Sequence, residues 1–404
     1  EMSSCLVGSE MCIRDRPKKA IVTERKHPFI FSGAIAKMKG HIADGDIVEV
    51  FNQENEYLAT GHFQKKNSIS VRLFSFEKSV CDVNFWAKKI EKAWNYRQAM
   101  GFDAKGNDTN AFRLINAEGD EMSGLIADFY NGVVVLQCHS LGMYKIRETL
   151  SQAFQQVLGD SLQAVYDKSA DLWKNNKAEN QEKKYLFGEA KPHFITENGL
   201  QFWVDWEEGQ KTGFFIDQRD NRLLLKQISA DKKVLNMFSY SGGFSINALK
   251  GNAEIVHSVD SSKKAIFWLE KNENANEIDK EKHRAYTKDA IQFLKEAPKD
   301  FYDIIVLDPP AYAKSFKARH RAVQAYKRLN IKALQIIKKG GFLLTFSCSG
   351  VVEQSLFNDT IRAAAIEVGR PIRIIKQLGQ AADHAVNIYH KEGHYLKGLW
   401  LYVE

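Results

Sequence analysis

The first part of the chain is built from short runs in which apolar and polar residues alternate. Three such runs, at residues 47–51 (IVEVF), 56–63 (EYLATGHF) and 68–76 (SISVRLFSF), are separated by turn residues. Alternation with a period of two is typical of half-buried β-strands. Short strands joined by close turns predict a small β-barrel over residues 17–92.

A helix and a second α/β segment are predicted next. Apolar side chains recur every four residues between about residues 85 and 100, which indicates one amphipathic helix. Beyond it, strand-like runs flank Asn131-Gly132, a pair that favours a tight hairpin turn, and a helical span follows near residues 143–158. These features predict a central α/β domain over residues 93–190.

After a hairpin turned at Asn198-Gly199, strand-like runs begin to alternate with helical periods. The predicted strands lie at residues 234–238, 254–260, 283–289, 303–310 and 340–348, with helices from about 244, near 262–276, at 290–296 and near 319–337. Repeated strand–helix order implies a parallel sheet with helices on both faces, and the last two apolar segments should close it as an antiparallel pair. The fold class predicted is α/β, with a Rossmann-like domain over residues 191–404 that includes the hairpin.

Residues 1–16 (EMSSCLVGSEMCIRDR) show no pattern of this kind. They resemble translated adaptor sequence, and they lack the basic start and long apolar run of a signal peptide. We expect them to be a non-native leader that lies outside the fold.

Composition narrows the class of protein. The 404 residues are 44% hydrophobic and 26% charged, and no apolar run approaches the roughly 18 residues of a membrane span. Intrinsic disorder and a membrane-spanning fold are therefore excluded. Five cysteines, none at Cys-x-x-Cys spacing, predict neither a disulfide framework nor a bound metal, and a cytoplasmic enzyme is the natural expectation.

The net charge of +7 is unevenly placed. Between Asp308 and Glu353 lie 44 residues without a carboxylate and with nine Lys or Arg side chains. Such a segment suits a phosphate backbone, although a run of charge is more often only a solvated surface. The candidate RNA contacts in it are Lys314, Lys317, Arg319, Arg321, Lys327 and Arg328.

A glycine turn, Ser239-Tyr240-Ser241-Gly242-Gly243-Phe244, follows the first strand of the predicted parallel sheet. Its glycines would let a ligand approach the backbone, and the helix that follows offers free N–H groups. Asp260 ends the next strand, where a carboxylate can bind a nucleoside ribose. Because the turn lacks the third glycine of NAD-binding proteins, the pair favours S-adenosylmethionine. Asp289, after the third strand, is a candidate for the adenine amine, and helix capping is the alternative for both aspartates.

Two further strand ends carry reactive groups. Asp308-Pro309-Pro310 is a rigid turn after the fourth strand, at the edge of the sheet where a methyl acceptor would bind. Cys348 follows the fifth strand, inside the basic segment and before a predicted helix, and both surroundings favour its thiolate. A buried structural cysteine is the alternative.

An acidic turn and a thiol at neighbouring strand ends suit methylation of cytosine at C5. This carbon is too weak a nucleophile to accept a methyl group directly, so a thiolate must first add to C6. Asp308 could hydrogen-bond the N3 and exocyclic edge of the base, which must leave its stack to reach both groups. Phe238, Tyr240 or Tyr312 could hold the base between aromatic rings.

The motifs around these residues resemble the bacterial 23S rRNA large-subunit methyltransferase I family, the cytosine-C5 enzymes specific for position 1962. The resemblance runs from about residue 25 to 404 and rests on RKHPFIFSGAIAKM, GQKTGFFIDQRDNR, NMFSYSGGFS, SVDSS, VLDPPAYAKS, TFSCSG, and AADH with YLKG. It implies an N-terminal PUA domain, a central α/β domain and a class I methyltransferase domain.

The same resemblance implies roles for particular residues. Cys348 would be the nucleophile, with Asp308 beside it, and 23S rRNA would be the partner, with a homodimer as a possible assembly. The methionine end of the cofactor would lie near Gln218, Arg219, Phe238 and Gly242. Tyr240 and Asp308 are expected to bind the cofactor as well.

Two rival functions remain open. The DPP turn is similar to the DPPY-type turn of nitrogen-directed methyltransferases, which need no cysteine, although Tyr312 stands one position late for that motif. A non-catalytic RNA-binding or assembly protein would use only the PUA domain and the basic segment. An NAD-dependent enzyme is disfavoured by the missing glycine.

Overall fold

A computed structural model describes residues 12–15, 23, 25–65, 68–106, 108–173, 184–313 and 315–404 of the chain. The chain divides into two compact units. The first contains the described residues up to His193 together with Val204–Phe214 and Ala382–Gly393, and the second contains Phe194–Trp203, Phe215–Ala381 and His394–Glu404. Within the described ranges, none of the helices has the length and apolar character that crossing a membrane would require.

The first unit begins with a six-stranded sheet in the spatial order β2-β6-β5-β4-β1-β3. Its strands are β1 (Cys12–Asp15), β2 (Phe29–Phe31), β3 (Ile35–Lys39), β4 (Ile47–Phe51), β5 (Tyr57–Phe63) and β6 (Ile69–Ser75). The three strands predicted from alternation, β4, β5 and β6, pair antiparallel side by side. Val48, Val50 and Leu73 are among the residues that they bury in one core.

Part of the segment expected to lie outside the fold is a strand. β1 pairs antiparallel with β3 and parallel with β4, and its Ile13 is fully buried in the core of the sheet. The expectation that residues 1–16 lie outside the fold is therefore wrong for Cys12–Asp15. A single apolar residue in a four-residue run is too weak a pattern to predict a strand, because pairing on both sides comes from the rest of the sheet. Residues 1–11 lie outside the described part of the chain.

A five-stranded sheet follows in the same unit, in the spatial order β11-β10-β9-β8-β7. Its strands are β7 (Ala111–Asn116), β8 (Leu125–Tyr130), β9 (Val133–Cys138), β10 (Ala164–Asp167) and β11 (Lys184–Phe187). The helices of this part are α1 (Val83–Ala99), α2 (Leu141–Lys145), α3 (Arg147–Leu158) and α4 (Ala170–Trp173). The predicted hairpin joins β8 to β9, with φ of 42° at Asn131 and 95° at Gly132, as such a turn requires.

Helix α1 crosses the boundary predicted between residues 92 and 93. Its Trp86, Ile90 and Ala93 are buried in the same core as the five-stranded sheet. The helix predicted over about residues 85–100 is confirmed, and its buried residues on both sides of the boundary belong to one core.

Two later segments also belong to the first unit, although residues 191–404 were expected to form one continuous domain. The buried guanidinium of Arg97 forms an ion pair with Asp120 and donates to the carbonyl oxygen of Asp383 at 2.6 Å. The hydroxyls of Tyr130 and Thr212 lie 3.0 Å apart. These buried polar contacts hold Val204–Phe214 and Ala382–Gly393 in the first unit, and no local sequence pattern indicates them.

The second unit is built around a seven-stranded sheet in the order β16-β15-β14-β17-β18-β20-β19. Its strands are β14 (Lys233–Met237), β15 (Ile255–Asp260), β16 (His283–Thr287), β17 (Tyr302–Leu307), β18 (Ile337–Ser347), β19 (Ile372–Leu378) and β20 (Lys397–Val403), and the hairpin of β12 (His193–Glu197) and β13 (Leu200–Val204) precedes them. The first five strands are parallel, and β20 lies antiparallel between β18 and β19. The predicted parallel sheet and its antiparallel closing pair are confirmed.

Among the described residues of this unit, the α-helices around the sheet are α5 (Arg219–Ile228), α6 (Gly243–Lys250), α7 (Lys263–Ala275), α8 (Ala290–Glu296), α9 (Arg319–Ile336) and α10 (Gln354–Val368). Neighbouring strand residues such as Ile304 and Ile305 join two different buried clusters, one on each face. Burial on both faces explains why these strands read as continuous apolar runs. From β14 the chain continues to β15 on one side and later to β17 on the other, so a crevice is expected at the carboxyl ends of β14 and β17.

Candidate active site

The turn after β14 contains residues with positive φ, a backbone conformation that L-residues other than glycine rarely adopt. Gly242 has a φ of 80°, and a Cβ atom there would lie 2.6 Å from Cγ of Leu269, so only glycine fits without a shift of its neighbour. Phe238 and Tyr240 also have positive φ, at 58° and 46°. Backbone strain of this kind is concentrated at binding and catalytic sites.

The same turn holds buried polar atoms that suit a ligand. The hydroxyls of Ser239 and Ser241 are buried and have no hydrogen-bond partner among the described residues. The first turn of α6, which begins at Gly243, offers its free N–H groups at the same place. Because buried polar atoms are normally paired, these groups fit the polar parts of S-adenosylmethionine.

Asp260 lies at the end of β15, beside this turn. One carboxylate oxygen accepts a hydrogen bond from the backbone N–H of Tyr240 and the other from that of Ser262, each at 2.9 Å. The N-cap of α7 is Ser262, so the capping alternative does not apply to Asp260. Each oxygen keeps a further lone pair, which a ribose hydroxyl could use.

Asp289 is exposed and caps a helix. Its Oδ1 accepts a hydrogen bond of 2.9 Å from the backbone N–H of Gln292, in the first turn of α8. The capping alternative is therefore present in the structure, and a contact with adenine stays a prediction.

Gln218 and Arg219, which the resemblance placed near the cofactor, have different surroundings. The buried amide of Gln218 donates to Oδ1 of Asp308 at 3.0 Å and accepts from the amide of Asn221 at 2.6 Å. The buried Arg219 guanidinium lies 3.6 Å from a carboxylate oxygen of Glu197. Gln218 thus joins the acidic turn directly, whereas Arg219 forms an ion pair in the buried part of the unit.

Asp308 is the acid of the rigid turn. Burial raises its pKa from the ordinary value of 3.8 to about 7, and the neighbouring Asp217 carboxylate acts in the same direction, against the amide of Gln218. Asp217 in turn accepts a hydrogen bond of 2.7 Å from the hydroxyl of Tyr395. A carboxyl group with this pKa can hold or release a proton near neutral pH, as acid–base chemistry requires.

Cys348 lies beside the same turn. The residue is partly buried, and its Sγ is 3.9 Å from the carbonyl oxygen of Pro309. The acidic turn and the thiol, which are 40 positions apart in the chain, are thus brought together by the pairing of β17 with β18. The helix expected just after Cys348 begins only at Gln354.

The three aromatic candidates for holding a base are all partly buried. The ring of Tyr312 lies 4.8 Å from that of Tyr326, and burial raises the pKa of Tyr312 to about 12, so its hydroxyl stays protonated. Tyr240 makes edge contacts with Phe215 and Trp268. Phe238 packs against the apolar cluster on one face of the sheet. Their contact with a base stays a prediction.

The basic segment is only partly free for a ligand. Lys317, Arg319, Arg321 and Arg328 are exposed, whereas Lys327 forms an ion pair of 2.7 Å with Glu367. Lys314 lies outside the described residues. The side chain of Phe316 is 71% exposed, with the Arg319 guanidinium 5.5 Å from the centre of its ring.

Two family models match the chain. The model for S-adenosylmethionine-dependent methyltransferases matches residues 117–369, and that for PUA-like domains matches residues 16–76. The chain belongs to the S-adenosylmethionine-dependent methyltransferase family. The fold class, the PUA-like domain and S-adenosylmethionine as the cofactor of this methyltransferase are thereby confirmed.

Relatives of known name support the same family. A protein of Enterobacter sp. (strain 638) is 35% identical over 379 residues, which cover 93% of this methyltransferase and 94% of the relative. A protein of Aeromonas salmonicida (strain A449) is 36% identical over 380 residues, covering 93% and 95%. Both are named ribosomal RNA large subunit methyltransferase I. The family resemblance that the motifs indicated is confirmed.

Solved structures show the same fold. A SAM-dependent methyltransferase from Streptococcus mutans matches with a TM-score of 0.83 at 24% identity, covering 97% of this chain and 100% of that one. A second structure, of a methyltransferase complexed with SAH, matches with a TM-score of 0.83 and covers 97% and 99%.

Four residues near the site were missed in the sequence. Asp217 lies inside the GQKTGFFIDQRDNR motif, and Tyr395 and Lys397 lie inside the YLKG motif. Phe316 directly follows VLDPPAYAKS. The motifs were recognised, but nothing in their spacing shows which side chains turn towards Asp308 or Cys348.

Replacing Asp260 by alanine is expected to weaken S-adenosylmethionine binding by about 1–3 kcal/mol, because it removes the acceptor for a hydroxyl that stays buried in the complex. Calorimetric titration of the folded variant measures the change. Asp279→Ala is the matched control, since Asp279 is an exposed aspartate that also caps a backbone N–H but precedes β16. Equal affinities of Asp260→Ala and the wild type would remove Asp260 from the cofactor site.

Proposed function

We propose that this methyltransferase methylates C5 of a cytosine in 23S rRNA, of the position-1962 type, through a covalent bond between Cys348 and C6. The observation that carries the proposal is the 3.9 Å contact between Sγ of Cys348 and the carbonyl oxygen of Pro309, in the turn headed by Asp308. A nitrogen-directed enzyme needs the acidic turn but has no use for a thiol beside it. The name shared by the relatives supports ribosomal RNA as the substrate.

The chemistry begins with the thiolate. Sγ of Cys348 adds to C6 of the flipped cytosine, and the electron pair of the C5–C6 double bond moves towards C5, which becomes nucleophilic. When bound, S-adenosylmethionine supplies the methyl group that C5 accepts. A base then takes the C5 proton and passes it to solvent, which restores the double bond and expels the Cys348 thiolate. Any proton that N3 took from Asp308 returns to the carboxylate, so the enzyme is regenerated unchanged.

Asp308 supports the charge changes on the ring. Addition at C6 pushes negative charge into the ring, and a protonated carboxyl group beside N3 can neutralise it by donating a hydrogen bond or a proton. The pKa of Asp308, raised by burial to about 7, keeps a substantial protonated fraction near neutral pH. Gln218, 3.0 Å from Oδ1 of Asp308, orients the carboxyl group.

Nucleoside mass spectrometry of the methylated RNA tests this proposal. Unmodified 23S rRNA is incubated with the protein and S-adenosylmethionine, digested, and searched for 5-methylcytidine. Methylcytidine with the methyl group on a ring or exocyclic nitrogen would replace the proposal by the nitrogen-directed reaction. Absence of methyl transfer from a protein that binds both ligands would favour a non-catalytic RNA-binding role.

The exposed part of the basic segment is proposed to bind the RNA through phosphates. Replacing Lys317, Arg319 and Arg321 together by alanine is expected to reduce the log–log slope of RNA affinity against salt by about 2–3, since each neutralised phosphate contributes about 0.7–0.9. S-adenosylmethionine affinity should stay at its wild-type value. Filter-binding or anisotropy titrations at several salt concentrations provide the slope.

A control variant with three other lysines replaced tests whether the effect belongs to this surface or follows from any loss of positive charge. Lys280, Lys282 and Lys295 are three exposed lysines of the same unit, near β16 and α8. Their joint replacement by alanine removes the same charge and should leave the salt slope almost unchanged. Equal slopes for both triple variants would show that the basic segment is only a solvated surface.

A further inference from the structure

Lys397 is a buried lysine in the second unit. Its side chain stands at the first position of β20, opposite Ser347 of β18, and the residue is only 5% exposed. Nζ donates hydrogen bonds to the carbonyl oxygens of Ser349, at 2.8 Å, and Tyr395, at 2.6 Å. No carboxylate of the described residues lies within ion-pair distance of this ammonium group.

A buried ammonium without an anionic partner destabilises a fold. Burial lowers the pKa of Lys397 to about 8, and the sulfur of Cys348 acts in the opposite direction. Two carbonyl oxygens give the charge partial compensation, which a carboxylate or a thiolate would complete. An apolar residue would fill the same position at lower energetic cost, so the buried charge points to a role beyond packing.

Two residues that pair with Lys397 stand directly before and directly after Cys348 in the chain. Ser347, its partner in the β-ladder, precedes the cysteine, and Ser349, whose carbonyl oxygen accepts from Nζ, follows it. The backbone of Lys397 is therefore paired with the residue before the thiol, and its ammonium is bonded to the residue after it. Tyr326, whose hydroxyl lies 3.0 Å from Oγ of Ser349, also faces this position, but burial raises its pKa and keeps it neutral.

Asp308 is a further titratable group near Cys348 among the described residues, because Sγ contacts the carbonyl oxygen of the next residue, Pro309. Its negative form would disfavour a thiolate, and the proton that it holds below a pKa of about 7 removes that repulsion. A fixed positive charge is the complementary requirement, because a cation a few ångströms from a thiol favours the ionised sulfur.

We infer that Lys397 is the positioning residue that stabilises Cys348 as a thiolate, held in place by its hydrogen bonds to the carbonyl oxygens of Ser349 and Tyr395. The inference rests on the proposed nucleophilic role of Cys348. Lys397 acts through the sulfur and needs no contact with the RNA base. On this view the YLKG motif supplies a positive charge beside the thiol.

The rate at which iodoacetamide alkylates Cys348 reports its thiolate fraction, because only the thiolate reacts. The rate is measured between about pH 6 and 10 on the full-length protein without RNA or cofactor, with peptide mass spectrometry to resolve each cysteine. Lys397→Met, which keeps length but removes charge, is expected to raise the titration midpoint of Cys348 by about one pH unit or more, a roughly tenfold slower reaction near neutral pH. Lys397→Arg should stay close to the wild type.

Two controls separate this effect from a general change in the fold. Lys338→Met removes a lysine of β18 that pairs with Asp303 at 2.9 Å, and it should leave the Cys348 midpoint unchanged. Cys81, in the first unit, has a thiol pKa raised by burial to about 11, and its alkylation serves as an internal reference in every sample. A wild-type midpoint for Cys348 in folded Lys397→Met would overturn the inference.

A reciprocal measurement covers the case in which Lys397→Met does not fold. In protein labelled with ¹³C at lysine Cε, the Lys397 resonance should titrate at lower pH in Cys348→Ser than in the wild type, because the stabilising anion is gone. Equal titration of Lys397 in both proteins would contradict the inference. Neither measurement uses RNA, so a shifted midpoint together with no 5-methylcytidine would reject the proposed function and leave the thiolate pair standing.

Discussion

Methyl transfer to RNA is expected to fall by several orders of magnitude when Cys348 is replaced by serine, while S-adenosylmethionine binding survives. A cysteine thiol ionises near pH 8.5, whereas a serine hydroxyl is hardly ionised at neutral pH and is a far weaker nucleophile towards C6. The substitution changes one atom of a partly buried residue beside the Pro309 carbonyl, so the fold should persist. Single-turnover methylation and calorimetry of the same preparation measure the two quantities.

The covalent bond itself can be trapped. Removal of the C5 proton is required before the Cys348–C6 bond can break, and fluorine at C5 cannot leave as a proton. RNA carrying 5-fluorocytidine should therefore remain attached to the wild-type protein and should not attach to Cys348→Ser. Cys81 and Cys138 lie in the first unit, and Cys138 is buried, so their serine variants should keep both activity and trapping. Near wild-type methylation by Cys348→Ser would falsify the covalent mechanism.

Much of the second unit follows from sequence because its strands are buried on both faces. Runs such as DIIVL have to lie in a covered parallel sheet, and the order of strands and helices then leaves few possible arrangements. Once the strands are placed, Gly242, Asp260, Asp308 and Cys348 fall at strand ends by position alone. The candidate site was therefore predictable as a set of strand-end residues.

Contacts that depend on side-chain direction were not predictable in this way. In the sequence, Lys397 is only a polar residue before an apolar run. The pairing of β20 with β18 brings its ammonium to the chain around Cys348. Asp217 lies in a recognised motif, yet its effect on Asp308 arises because two distant turns pack together. Ala382–Gly393 joins the first unit through Arg97 and Asp383, which are separated by most of the chain.

Asp308→Asn should lower the rate of methylation by about 10²–10⁴-fold, the usual contribution of a positioned acid or base. The amide has the same shape and can still donate a hydrogen bond, but it cannot transfer a proton to N3 of the base. Calorimetry of cofactor binding separates this loss from any weaker binding of S-adenosylmethionine. Asp303→Asn is the matched control, because Asp303 lies near the other end of β17 and pairs with Lys338.

The raised pKa of Asp308 determines how the stability and the activity of the protein change with pH. Burial raises the pKa of Asp308 to about 7, so the folded protein holds a proton on this carboxyl group that the unfolded chain, with an ordinary pKa of 3.8, releases. Stability from this group is present below about pH 4 and is lost as the pH rises towards 7.

In wild-type protein, kcat/KM should rise with ionisation of Cys348 and fall as Asp308 loses its proton, which gives a bell-shaped profile. In Asp308→Asn the falling limb near pH 7 should disappear, together with this part of the loss of stability. A falling limb that persists unchanged in Asp308→Asn would assign it to another group and remove the acid role of Asp308.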